Sequence, residues 1–360
     1  MYDQIREDTL FIMLYAAVTM LSLIACFYLL FRRSNAIAPD VTPPIRLRRW
    51  TAAFFAAFTL NHIWYMPIFF LSSREAIMMT DLIGGLLDFM TVFPLMIALL
   101  IVMLQDRRRP LWPVAVMVAP LIVGNALSVA THSYDYLPIG YCYFLLMCIC
   151  LIIYMVCALR QYGRWLRDNY ADLEHKEVWQ SFVVLAIVLL VFVVYALINE
   201  NSIYIYVMLV MNALLICYLL WRVETLSDLS ISQPLPVDED TGQTTRDSIG
   251  PKLKQYCEEQ QLYLQHDISL SQLAKAIGTN RLYLSQYFSS LGTNYNVYIN
   301  DLRINHFVSL YQEALASNRS FTAQQLANES GYRSYSTFRH AFKMRMGQNV
   351  RDWMNDMVQK

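Results

Sequence analysis

Seven stretches of about twenty residues in the first 222 positions hold no lysine or arginine, and only one of them holds a carboxylate, Asp88. They are 9–31, 51–71, 82–104, 111–131, 138–159, 179–198 and 203–221. A helix needs about 20 apolar residues to cross the hydrocarbon core of a bilayer. The pattern therefore predicts a bundle of seven transmembrane helices over 1–222. Composition agrees: 56% of the residues are hydrophobic and 16% charged, against about 45–50% and about 25% in soluble domains. The first stretch is expected to stay in the chain. Its apolar run is too long for a cleaved signal, and its charged flank, Arg32-Arg33, lies on the wrong side.

Basic residues in the connections set an expected orientation. The first, third and fifth connections hold Arg32, Arg33, Arg46, Arg48, Arg49, Arg107, Arg108, Arg109, Arg160, Arg164, Arg167 and Lys176. The N-terminus and the other connections hold Arg6 and Arg74. Basic loops stay in the cytoplasm, so the N-terminus is expected outside and everything after Trp221 inside. The outer connections are short, so a signal must enter the bundle, sit in the lipid or be another membrane protein.

Polar residues at depth are the candidates for receiving it. Asn61 and His62 lie about 16 Å into the second stretch at 1.5 Å per residue. Asp88 and Asn125 lie nearer the outer edge, and Asn212 is midway along the last stretch. Ionisable groups in a membrane are costly and mark functional sites by default, which makes His62, Asp88, Asn125 and Asn212 a candidate signal site. The structural reading of the same residues is a packing network of interhelical hydrogen bonds. A retinal Schiff base is excluded, because no lysine precedes Lys176. The cysteines in the stretches read as small buried hydrophobes, and no residue cluster has metal-ligand spacing.

Between 223 and 249 the composition changes. Residues 232–245 hold two prolines, three consecutive acids and a glycine, which predicts a solvated acidic linker. Its start offers Val223, Leu226 and Leu229 as one stripe, a candidate homodimer seam. The remainder, 250–360, has a helical period and no long apolar run, and is expected to be a soluble domain.

That domain contains an internal repeat. Ser269-Leu-Ser-Gln272 is a capping box, in which a Ser at the N-cap and a Gln three residues on satisfy free N–H groups reciprocally. Thr322-Ala-Gln-Gln325 is another. Each opens a helix with Leu and Ala, then Gly four residues after the Ala: Leu273, Ala274, Gly278 and Leu326, Ala327, Gly331. The small Ala admits a second helix, and the Gly supplies the left-handed residue of a tight turn. Amphipathic segments 281–288 and 335–342 follow, with Leu284/Phe288 and Phe338/Phe342 facing inward. Two such units are two helix-turn-helix motifs, whose second helices fit the DNA major groove. The stretch 297–316 between them reads as one long spacer helix, able to set the two readers about 34 Å apart, one turn of DNA.

At these residues the domain resembles the DNA-binding domain of the AraC/XylS family of bacterial transcription regulators. The resemblance rests on Tyr287-Phe288 with Gly292, on Tyr298-Ile299-Asn300-x-Leu302-Arg303-Ile304, and on Gly331-Tyr332-x-Ser334-x-Ser336-x-Phe338-Arg339-x-x-Phe342-Lys343 with Gly347 and Trp353. Three positions depart from the family pattern: Phe307 for Ala, Tyr311 for Leu, and Val350 for Pro. All three replacements are apolar, so altered packing is expected rather than loss of fold. The resemblance implies base contacts from Arg281, Leu282, Ser285 and Gln286 in the first motif, and from Tyr335, Ser336, Arg339 and His340 in the second. Helical spacing puts 282, 285 and 286 on one face, and 335, 336, 339 and 340 on another. Arg339 suits guanine and Gln286 adenine. Each polar residue has an alternative role as a phosphate contact.

The sequence is thus expected to encode an all-α protein: a seven-transmembrane-helix domain (1–222), an acidic linker (223–249) and a cytoplasmic double helix-turn-helix domain (250–360). The expected function is a regulator in the bacterial inner membrane that binds operator DNA, with the bundle as sensor or anchor. Its partners would be double-stranded DNA, the bilayer, RNA polymerase, an unknown small-molecule, lipid or membrane-protein signal, and a second copy of the chain. No cofactor and no enzymatic motif is read. The alternative is a membrane transporter or receptor whose cytoplasmic tail binds a partner.

Overall fold

The computed structural model describes residues 8–32, 35–39, 41–197, 202–229 and 246–358. Most of the predicted acidic linker lies outside the described residues. Those residues are helical, without a named strand. They divide into two compact units, one of 1–162 with 178–228 and one of 163–177 with 229–360.

The first unit is built from apolar helices: α1 (Thr9–Phe31), α2 (Ile45–Tyr65), α3 (Arg74–Met90), α4 (Val92–Met103), α5 (Trp112–Thr131), α6 (Leu137–Asn169, which belongs to this unit as far as Tyr162), α7 (Trp179–Leu197) and α8 (Ser202–Thr225). Among the described residues six helical segments are long and apolar enough to cross a membrane: Thr9–Phe31, Ile45–Phe69, Arg74–Met103, Trp112–Thr131, Leu137–Asn169 and Ile205–Thr225. Each overlaps an expected span. The expected span 179–198 coincides with α7, apart from its last residue, which is outside the described residues.

The predicted span 82–104 is interrupted. Helix α3 ends at Met90 and α4 starts at Val92, around Thr91 with φ −127° and ψ −70°. Pro94 explains the break: a proline lacks an N–H and its ring clashes with the carbonyl four residues earlier, here that of Met90. The second span begins earlier than its uncharged stretch, because α2 includes Arg46, Arg48 and Arg49. Arg48 returns to the end of α1, its Nε donating to the Leu29 carbonyl at 2.7 Å. A cation there satisfies a carbonyl left open at a helix C-terminus.

The C-terminal end of α8 is tied down by a buried carboxylate. Glu224 is 1% exposed. Its Oε2 accepts the backbone N–H groups of Ala36 at 3.1 Å and Ile37 at 3.0 Å, and its Oε1 accepts the Tyr28 hydroxyl. A buried carboxylate persists when charge-assisted donors surround it.

In the second unit, α9 (Arg246–Lys252) leads through a π-helical stretch, Leu253–Glu259, to α10 (Leu270–Ala276), α11 (Arg281–Ser290), α12 (Tyr295–Ala316), α13 (Ala323–Glu329), α14 (Tyr335–Met346) and α15 (Val350–Val358). Two apolar cores form along α12. Leu273, Ala274, Leu284, Phe288, Tyr295 and Ile299 belong to one. Ile304, Phe307, Tyr311, Leu326, Phe338 and Trp353 belong to the other. The three departures from the family pattern pack into the second core. Phe307 lies 4.5 Å from Phe338 between ring centroids, Tyr311 lies 5.2 Å from Trp353, and Val350 is 4% exposed.

Candidate nucleic-acid interface

Local chemistry builds the two helix-turn-helix units in the same way. Ser269 caps α10 and Thr322 caps α13, and both capping boxes are complete, with Gln272 and Gln325 returning to the cap backbone. Each such cap contributes about 1 kcal/mol. Gly278 and Gly331 take φ of +71° and +95°, the left-handed region in which glycine carries no steric penalty. The second helices are capped by Asn280, which accepts the Tyr283 N–H at 2.8 Å, and by Ser334, which accepts the Thr337 N–H at 3.2 Å.

Those caps and the buried pairs fix the outward faces. Leu284, Phe288, Phe338 and Phe342 are at most 1% exposed. On the other side of α11, Leu282 is 61% exposed, Gln286 is exposed, and Arg281 and Ser285 are half-buried. On α14, Ser336, Arg339 and His340 are exposed and Tyr335 is half-buried against Phe338. All eight candidate residues therefore sit on the two second helices; Tyr335 packs against the second core, and the other seven belong to neither core. Lys343, one turn on from Arg339, is exposed and extends the basic face of α14, whereas Arg345 pairs with Asp301 at 2.7 Å.

Arg303 ties the two units through α12. It is fully buried, and its guanidinium donates to the carbonyls of Tyr263 at 2.8 Å, Gln265 at 2.8 Å and His266 at 3.3 Å. Burial pushes its pKa down, opposed by Tyr332, Tyr295 and nearby carboxylates. Family pattern alone singles out Arg303 without saying what it holds; the carbonyls it satisfies lie about 40 residues away in sequence.

Residues 273–356 match the helix-turn-helix domain family. The chain carries an AraC-type helix-turn-helix domain. The match runs from within α10 to within α15 and includes all eight candidate base-reading positions. No curated protein and no solved structure matches the chain. The domain marks a DNA-binding regulator and double-stranded DNA as its partner.

The candidate residues in the apolar unit fall into separate groups. Asp88 accepts from Asn61 Nδ2 at 2.9 Å and from the Tyr65 hydroxyl at 2.9 Å, while Asn61 also donates to Thr91 Oγ1 at 3.2 Å. This cluster sits at the α3–α4 break. His62, one residue from Asn61, points elsewhere: its Nδ1 is 3.2 Å from Thr19 Oγ1, and its ring stacks on Tyr15 at 4.7 Å. Asn125 bonds back to the Leu121 carbonyl of its own helix at 2.9 Å. Among the described residues no hydrogen bond joins His62, Asp88, Asn125 and Asn212 to one another. Asn61 and Tyr65 are Asp88's partners, and Tyr65 carried no sequence signal beyond lying four residues after Asn61, one turn on.

Proposed function

We propose that the chain is a membrane-embedded transcription regulator of bacterial type, whose helix-turn-helix domain reads operator DNA on the cytoplasmic side. The observation that carries this reading is the pair of capped second helices. Each turns a polar, exposed face away from its core, inside a segment matching a DNA-binding family. N-terminal residues of such helices contact base edges in the major groove. Arg339 would take a guanine, Gln286 an adenine, and Leu282 a thymine methyl.

The membrane placement rests on the apolar helices and on the arginine asymmetry of the connections. Seven spans with the N-terminus outside put residues 222–360 next to cytoplasmic DNA and RNA polymerase. The polar group around Asp88 would receive a small-molecule, lipid or membrane-protein signal. The stripe Val223, Leu226 and Leu229 is not a homodimer seam, because all three side chains are buried within the chain itself.

Genome-wide mapping of DNA bound to the full chain in its own membrane tests the reading. Discrete sites that vanish with Arg339→Glu support it. A flat profile, unchanged by the substitution at equal protein abundance, overturns it.

A further inference from the structure

The connection after the fifth apolar helix reads in sequence as an ordinary basic loop. It is instead part of the second unit. Helix α6 runs for 33 residues without interruption to Asn169, about 50 Å at 1.5 Å per residue. Its last residues and the segment that follows belong with the helix-turn-helix domain. Asn169, Tyr170, Ala171, Asp172 and Lys176 are each at most 8% exposed. Ala171 is a member of the core that holds Leu284 and Phe288. Burial of Lys176 pushes its pKa down, with Asp172, Asp267 and Glu174 pulling it back.

The grips on this segment are specific. From the first turns of α12, Asn296 Nδ2 donates to the carbonyls of Tyr170 at 3.1 Å and Ala171 at 2.7 Å. Asn300 Nδ2 adds a bond to the Ala171 carbonyl at 3.3 Å. Tyr170 also forms a backbone bridge with Ser269, the N-cap of α10. The segment then reaches the start of both second helices. The Arg281 guanidinium, at the first residue of α11, lies 5.9 Å over the Trp165 ring. Thr337, in the first turn of α14, donates its hydroxyl to Asp172 and Glu174, both at 3.4 Å.

The first turns of these helices are where a duplex must enter. The segment brings Asp172 and Glu174 to one of them and Trp165 to the other, and Asp168 interacts electrostatically with Arg281. Carboxylates at such a place repel a phosphate backbone, and a ring stacked on Arg281 holds it from a base or phosphate. The attachment includes the hydrogen bonds from Asn296, Asn300 and Thr337, the backbone bridge at Tyr170, the Trp165–Arg281 contact and the burial of Ala171. A signal releases such an attachment only through its differential affinity for the docked and withdrawn states.

We propose that residues 165–174 are a built-in gate on DNA binding, which docks across the N-terminal ends of both recognition helices and is withdrawn by movement of the fifth apolar helix. The gate rests on the DNA-reading assignment above. It makes α6, continuous from its apolar stretch to the docked segment, the carrier of the signal rather than the linker 223–249.

The full chain in lipid nanodiscs provides the test, with a fluorescent 30-base-pair duplex pool of random sequence as the probe. Two variants loosen the gate: Asn296→Ala with Asn300→Ala removes the carbonyl grips, and Asp172→Asn with Glu174→Gln removes charge at nearly constant size. If nine chains in ten are docked, release tightens apparent affinity about tenfold. Hydrogen exchange of 163–177 is read in parallel, with 299–311 as the folding control. The expected result is a protected segment in the wild type, faster exchange in the asparagine variant, and tighter duplex binding by both variants. Fast exchange at 163–177 in the wild type overturns the gate. So does duplex binding that is equal or weaker in both variants while 299–311 stays protected. Failure of wild type and both variants to bind any duplex instead overturns the DNA-reading assignment, and the gate falls with it.

Discussion

The guanidinium of Arg303 lies 5.4 Å over the ring of Tyr332, while its nitrogens hold three carbonyls of the turn around Tyr263 to His266. One side chain on the spacer helix therefore closes the first helix-turn-helix unit and packs against the turn of the second. The two readers are built as one body around it, rather than as two beads on a helix.

Replacing Arg303 with methionine should cost about 3 kcal/mol, because the buried Tyr263 carbonyl and the part-buried carbonyls of Gln265 and His266 lose a charged donor. Lysine should not rescue it, since an ammonium lacks the planar fork that reaches several acceptors. Thermal denaturation of the full chain, followed by exchange protection of α12, measures the effect. A loss below about 1 kcal/mol would remove Arg303 from the role of tie.

Two glycines separate backbone strain from crowding. Gly292 has φ +67° with open space around it, so Gly292→Ala should cost about 1–2 kcal/mol, the penalty for a left-handed residue. Gly331 has φ +95°, and an added Cβ would stand 2.9 Å from Leu264 Cα and 3.1 Å from Arg303 Nε. Gly331→Ala should therefore cost a further amount of about 1–3 kcal/mol. Equal losses at the two positions in denaturant titration would contradict this ordering.

Arg339→Ala should weaken operator binding by about 1–3 kcal/mol and relax preference at one base pair, as loss of a bidentate guanine contact does. Lys343→Ala should weaken binding about equally on all sequences and lower the salt dependence. Selection of bound duplexes from a random pool distinguishes the two, and an unaltered preferred sequence for Arg339→Ala would take the base-reading role from it.

A reporter fused after Lys360 should be active only as a cytoplasmic enzyme. Activity confined to the periplasm would reverse the orientation drawn from the arginine asymmetry, and with it access to DNA.

Asp88 is the acceptor for both Asn61 and Tyr65. Asp88→Ala leaves two donors without a partner and Asp88→Asn leaves one acceptor oxygen. If the cluster receives the signal, both should lock promoter output at near-normal abundance in the membrane. If it only packs helices, abundance should fall for alanine more than for asparagine while the response persists. Output and abundance measured together decide it.

Local chemistry was legible in the sequence. Capping boxes, the glycines that follow them, the buried pairs of the second helices and the uncharged stretches all act within a few residues, so side-chain type and spacing suffice to read them. The α3–α4 break also had a local cause in Pro94, although the hydrophobic run conceals it. Tertiary structure alone decided which polar residues meet. It put Asn61 and Tyr65, not His62, on Asp88. It gave Arg303 its carbonyls and brought Asn296 to the Tyr170 carbonyl, 126 residues away. Periodicity measures which face of a helix is buried, not what is buried against it. A segment such as 169–176, short, polar and without a period, carries no local trace of the partner that covers it.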